Sequence, residues 1–247
     1  MSSTLITFLG RKTAHGYDRV TYDFDGIEKT ASFFGLALAE VIKPDRLSIL
    51  GTKGSMWDVL VESLAHSGEL EDERISLIGN AENHAVTQSQ LDSLAPLISH
   101  HLGLDCRLTI IPRGTDESEQ VEILRIMAQG VNPHDRAILD ITHAFRHLPM
   151  LAFVSALYLE SVRNAHIENI YYGAFDMMHD KVVPALRLDG LMRVARWIKA
   201  LSTYDKDGDY GVFAELFKQE GIANAKMLQR AVTSHDKLGR TFRPFLG

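Results

Sequence analysis

The stretch Ala137-Ile138-Leu139-Asp140-Ile141-Thr142-His143-Ala144-Phe145-Arg146-His147-Leu148-Pro149 decides how this chain folds. An apolar run enters it, and a long apolar segment with helical spacing, residues 148–162, leaves it. Between them lie a carboxylate, a hydroxyl, an imidazole and a guanidinium. A buried strand that feeds a buried helix delivers such groups to the carboxyl edge of its sheet, where open α/β folds bind ligands. Each residue also has a purely structural use. Asp140 can cap the turn, His143 can be a satisfied histidine at a helix start, and Arg146 can pair with a carboxylate.

Working outward, the same strand-to-helix rhythm recurs. Strands are expected at residues 5–9, 17–24, 46–50, 75–78, 106–111, 136–141, 167–172 and 182–188. Helices are expected at 30–41, 55–64, 88–100, 118–128 and 148–162, from apolar residues at helical spacing. Asp25-Gly26 is a turn signal. The alternation predicts an α/β fold: a Rossmann-like, mostly parallel sheet with helices on both faces. The last two strands are close enough in sequence for an antiparallel hairpin at the sheet edge. From about Leu191 only helical patterns remain, at 191–201, 212–217 and 222–232, with Asp205-Lys206-Asp207-Gly208-Asp209 as a polar hinge. The expected domains are therefore 1–190 and a helical appendage, or the start of an effector domain, at 191–247.

The 247 residues are 45% hydrophobic and 23% charged, with a formal net charge of -6. That composition fits a globular domain and disfavours a protein that coats duplex DNA. A local basic cluster on an acidic chain still suits a small anion. The single cysteine, Cys106, excludes an intramolecular disulfide and a Cys-based zinc site. No apolar run approaches the ~20 residues that span a bilayer, and the first residues lack a signal-peptide pattern. The expectation is a cytoplasmic protein with no membrane partner, no cofactor and no metal.

Two further strand ends carry chemistry. Gly51-Thr52-Lys53-Gly54-Ser55-Met56-Trp57-Asp58 follows a buried strand and opens a helix. Its glycines are expected to let the backbone approach a ligand, and Ser55 to act as an N-cap. Free N–H groups at a helix start suit an anionic oxygen, while an ordinary strand-to-helix turn is the competing reading. The P-loop spacing is absent, as is GxGxxG after any strand, which argues against a nucleotide-cofactor enzyme on a Rossmann sheet. Gly10-Arg11-Lys12 ends the first strand. All these ends belong at one edge of a parallel sheet.

Asp140-Ile141-Thr142-His143-Ala144-Phe145-Arg146, followed by Leu148-Pro149, resembles the DxTHG motif of a CRISPR-associated family whose members carry a Rossmann-like sensor, the CARF domain. The Gly51-Thr52 to Asp58 segment resembles that family's second motif, and Phe8-Leu9-Gly10 and Tyr172-Gly173-Ala174 also fit. The resemblance covers roughly residues 4–190, with a weaker echo at 197–209. It departs at Ala144, which replaces the motif glycine; a methyl group there restricts φ and narrows the approach to the backbone.

The resemblance implies a sensor of cyclic oligoadenylates, the messengers of type III CRISPR systems, with cyclic tetra-adenylate as the expected ligand and cyclic hexa-adenylate as the rival. It implies a homodimer with the ring lying across its two-fold groove. Gly10, Arg11, Lys12, Gly51, Thr52, Lys53, Gly54, Ser55 and Met56 are then expected to contact phosphates and riboses. Thr142, His143, Ala144 and Arg146 are expected to face the ring from the third strand end, with Asp140 orienting the turn. If the ring is cleaved without metal by in-line attack of a ribose 2′-hydroxyl, Lys53, His143 and Arg146 are the candidate catalytic residues. The alternatives are a HEPN-type ribonuclease, for which Arg230 and His235 have the R-x4-H spacing, and a nucleotide-cofactor enzyme.

Overall fold

The first strand, β1 (Ser3–Leu9), is buried along its whole length and lies inside an eight-stranded sheet of order β3-β2-β8-β7-β6-β1-β4-β5. The computed structural model describes residues 1–11, 19–64, 70–143, 147–209 and 211–219. The other strands are β2 (Val20–Phe24), β3 (Ile27–Ala31), β4 (Arg46–Gly51), β5 (Asp105–Ile110), β6 (Arg136–Asp140), β7 (His166–Gly173) and β8 (Val182–Arg187). Five of them, β5, β4, β1, β6 and β7, form a continuous parallel block. β8 joins β7 antiparallel and pairs in parallel with β2.

The helices are α1 (Phe34–Ile42), α2 (Trp57–Leu64), α3 (Glu71–Glu82), α4 (Gln88–Leu102), α5 (Glu117–Gln129), α6 (Leu148–Val162), α7 (Asp189–Asp207) and α8 (Val212–Gln219). From β1 the chain builds outward through β4 to β5, then returns past β1 to add β6 and β7. Right-handed crossovers in opposite directions place α1, α2 and α4 on one face, α5 and α6 on the other. Alternation along β1 agrees. Leu5 and Leu9 share a core with Phe34, Leu38, Leu60, Leu91 and Ile98, while Ile6 and Phe8 are equally buried on the alternate face. The strand order reverses beside β1, so the loops after β1, β4 and β6 surround a switch-point crevice.

Four expectations are corrected. Residues 75–78 are not a strand but the middle of α3. A short apolar run has no decisive period, and Glu71, Asp72 and Glu73 favour a helix start through the positive end of its dipole. The β7–β8 hairpin is not the edge: β2 lies beyond β8, and β3 closes the sheet. The strand β3 takes residues assigned to the start of a helix at 30. Asp25 (φ 53°) and Gly26 (φ 92°) are both left-handed, as a tight two-residue hairpin requires. Finally, the polar hinge at 205–209 begins later, because α7 runs through Asp207.

The chain divides into two compact units, Met1–Asp189 and Gly190–Gly247. In the second, Trp197 and Tyr204 of α7 meet Phe213 and Phe217 of α8 in a small aromatic cluster with Ala200 and Leu216. The helix expected at 222–232 lies outside the described residues.

Candidate ligand groove at the switch point

The loop after β4 is held by its own side chains. Ser55 Oγ donates to Leu9 O at 2.6 Å and accepts from Thr52 N at 2.8 Å. Trp57 Nε1 donates to Thr52 O at 2.9 Å, and Met56 N to Gly10 O at 3.2 Å. These bonds tie the ends of β1 and β4 together. Ser55 is completely buried and Thr52 nearly so, so both support the loop, and α2 begins only at Trp57. The expected N-cap role of Ser55 is thereby corrected, since its hydroxyl accepts from a residue upstream of the helix.

The glycines are corrected too. A Cβ at Gly51 would lie 2.6 Å from Trp57 Cζ2, and one at Gly54 would lie 2.0 Å from His84 Nδ1. The space beside each is filled by the chain itself, so these glycines serve packing. Lys53, by contrast, is exposed.

Arg11, just past β1, reaches across to the same place: its Nη1 lies 2.8 Å from His84 Nε2. Arginine only donates, so Nε2 accepts, and this assigns the proton to Nδ1. His84 thus links the loops after β1 and β4 from the α3–α4 connection, in a left-handed conformation (φ 54°). Sequence reasoning missed it, since a histidine after a helix has no spacing that points to a strand edge some thirty residues earlier in the chain.

At the end of β6, Asp140 is wholly buried. It accepts from Thr7 Oγ1 at 2.5 Å and from Thr142 N at 2.8 Å. Burial pushes its carboxyl up to about 6, against the opposing pull of those bonds. Thr142 Oγ1 accepts from Gly173 N at 2.8 Å, which clamps the β6 and β7 ends together. His143 Nε2 accepts from Phe34 N at 3.2 Å, capping the first turn of α1, and its ring lies near those of Phe33 and Phe175. Thr142 and His143 are half-buried and both hold neighbouring elements in place. His147 Nε2 lies 2.7 Å from Arg113 O, joining the start of α6 to the segment after β5.

The structure therefore brings Gly10, Arg11, Gly51, Thr52, Lys53, Gly54, Ser55 and Met56 together, with Thr142 and His143 at the adjoining strand end. Lys12, Ala144 and Arg146 lie outside the described residues, as do Arg230 and His235. A cleft of about 430 Å3 opens from the Thr52-Lys53-Gly54 loop and His84 toward Ile110–Arg113 and α5. Among the described residues there is no cluster suited to a metal ion, and no helix is long and apolar enough to cross a membrane.

Comparisons with known proteins give this geometry its family. A solved structure described as Enterococcus italicus Csm6 bound to cyclic hexa-2'-fluoro-hexa-dAMP is similar with a TM-score of 0.48 at 11% identity, over 98% of this chain and 56% of that one. CRISPR-associated protein MJ1674 of Methanocaldococcus jannaschii is 28% identical over 228 residues, which cover 84% of this chain and 35% of the relative. The chain thus spans about a third of the length of that curated relative. A family model described as CRISPR system endoribonuclease Csx1, CARF domain, matches residues 4–176, from β1 through the strand end at Gly173. That match takes in every loop of the switch-point groove, and the chain belongs to the CARF-domain family of CRISPR-associated proteins.

Proposed function

We propose that this chain is the sensor part of a type III CRISPR accessory protein and binds a cyclic oligoadenylate, cyclic tetra-adenylate first among them. One observation carries the reading. In a CARF domain, Arg11, Lys53 and the Arg11-bound His84 converge on one strand edge, at the point where the sheet order reverses. Cations and polar donors at such a crevice suit a ring of phosphodiesters. The net charge is -6, so a ring of phosphates would be held by these local cations and not by a generally basic surface.

The proposed unit is a homodimer. On α6 a second apolar row faces outward: Met150, Val154, Tyr158 and Val162 are 72%, 47%, 44% and 58% exposed. The apolar pattern of α6 predicts a helix buried all round, but only Leu148, Ala152, Ser155, Ala156 and Leu159 are buried. A row spaced by four residues is a packing ridge, and it starts one turn from His147 at the groove. Pairing along it sets two grooves side by side, as a two-fold ligand needs. A HEPN-type ribonuclease activated by the ring, with Arg230 and His235 at the R-x4-H spacing, is the alternative for the whole protein.

Titration with rings of three to six adenylates, with product analysis of the same samples, tests the reading. Tightest binding of the tetra-adenylate ring, with loss of at least tenfold in Lys53→Ala, is expected; no binding by any ring overturns it. Linear adenylates ending in a 2′,3′-cyclic phosphate in those samples would assign ring cleavage to the same groove.

A further inference from the structure

On α7 four exposed apolar side chains fall in one row. Leu191, Val194, Ile198 and Leu201 are 49%, 56%, 62% and 53% exposed, and they follow one another in steps of three, four and three. That is the spacing of the seam along which two helices pair in a coiled coil. The packing of α7 within its own unit uses other residues: Met192 and Ala200 are buried, and Trp197 and Tyr204 meet α8. The row is left to water, a cost that a partner removes. By the helical period, Asp189, Arg193, Arg196, Lys199, Lys206 and Asp207 lie off the row. The next seam position after Leu201 is Asp205.

We propose that α7 pairs antiparallel with α7 of a second copy of this chain. In that register Leu191 meets Leu201 of the partner subunit, and Val194 meets Ile198 of the partner subunit. Both pairs are centred on residue 196, so one two-fold axis satisfies the whole row, as an isologous contact requires. Charge selects the direction. In antiparallel pairing Asp205 stands opposite position 187, which precedes the first residue of the partner's helix, and its carboxylate stays in water. In parallel pairing Asp205 would face Asp205 of the partner subunit across the seam, and the like charges repel. A seam of about three turns adds to a dimer rather than making one. Once the α6 rows meet, this second contact is intramolecular and needs little affinity of its own. The inference thus rests on the proposed α6 dimer and is independent of the ligand.

The test uses the full chain with one cysteine placed in the row, Val194→Cys or Ile198→Cys, and the two variants co-expressed. Both positions are exposed, so the fold tolerates the change. Native Cys106 is buried, and burial pushes its thiol up to about 12, so it takes no part. After mild oxidation a disulfide-linked dimer is expected in the co-expressed sample, at least tenfold above either variant alone. Like residues of an antiparallel pair lie four positions out of register, about 6 Å apart along the axis, which puts them beyond a disulfide's reach between paired helices. A disulfide in each variant alone makes the pairing parallel and overturns the proposal. No disulfide in any sample, with sedimentation still reporting a dimer, overturns the α7 contact and leaves the α6 dimer intact. A wild-type monomer in sedimentation overturns both. Ile198→Glu supplies a second arm: it is expected to raise the dimer dissociation constant at least tenfold, and an unchanged constant contradicts the seam.

Discussion

Asp140 shows how a residue can be central to a site without facing its ligand. Its carboxylate is buried behind the loop and orders Thr142 and Thr7. With its carboxyl raised from 3.8 to about 6, the folded state holds a proton that the unfolded chain has released. The contribution of Asp140 to stability is therefore greatest below about pH 4, falls as pH rises to about 6 and is level above. The size of that fall is on the order of 3 kcal/mol, since each pH unit between the unfolded and folded values is worth about 1.4 kcal/mol. Asp140→Asn keeps an acceptor for Thr142 N and removes the charge. Urea denaturation should find the variant close to wild type at pH 4 and more stable at pH 7.5; a difference independent of pH would contradict the assignment. The motif's position at a strand end is legible from the apolar run before it and the helical run after it. The duties of Thr142 and His143 are not, because their partners, Gly173 and Phe34, come from elements distant in sequence.

At the scale of elements, the approach of α1 to the sheet depends on a missing side chain. A Cβ at Gly35 would lie 2.3 Å from Thr7 Oγ1 and 2.7 Å from Thr7 Cβ. Neither atom can retreat, since Thr7 is fixed by Asp140. Gly35→Ala is expected to cost about 1–3 kcal/mol of overpacking, more than the gain of about 1 kcal/mol in helix propensity. Gly79 on α3 is exposed and has nothing within 4 Å of its Cβ position, so Gly79→Ala should stabilise by about 0.5–1 kcal/mol. One substitution type thus has opposite signs on two helices, a contrast that paired thermal melts read directly. The same elements show where sequence is informative. Parallel strands buried on both faces are largely apolar runs, and β1, β4 and β6 are legible as such, whereas burial in β5 and β7 alternates and their signal is period two. The run Ile75 to Ile78 looks similar but belongs to a helix that buries only Leu77 and Ala81 and leaves Ile75 exposed. β3 escapes notice because its alternation is weak and all its residues are exposed or half-buried.

For the whole molecule, the proposed dimer decides whether two half-sites become one. The chain's own fold leaves the α6 row of Met150, Val154, Tyr158 and Val162 uncovered, and each step of four residues follows the ridge that packs at about −50° in helix pairs. An apolar row of this length on a surface is a cost in water unless a partner covers it. Val154→Glu places a charge in the middle of that row without disturbing the buried face of α6. The monomer's stability should therefore change little, within about 0.5 kcal/mol, while association is lost. Sedimentation equilibrium should report a dimer for wild type and a monomer for the variant. The coupled expectation concerns ligand. A ring with two-fold symmetry takes half of its contacts from each subunit, so the monomeric variant should bind cyclic tetra-adenylate at least a hundredfold more weakly, about 2.7 kcal/mol. Lys53→Ala, in contrast, should weaken the ring and leave the dimer intact. A Val154→Glu protein that remains dimeric would move the interface elsewhere, whereas a monomer that binds the ring undiminished would place the whole site within one chain.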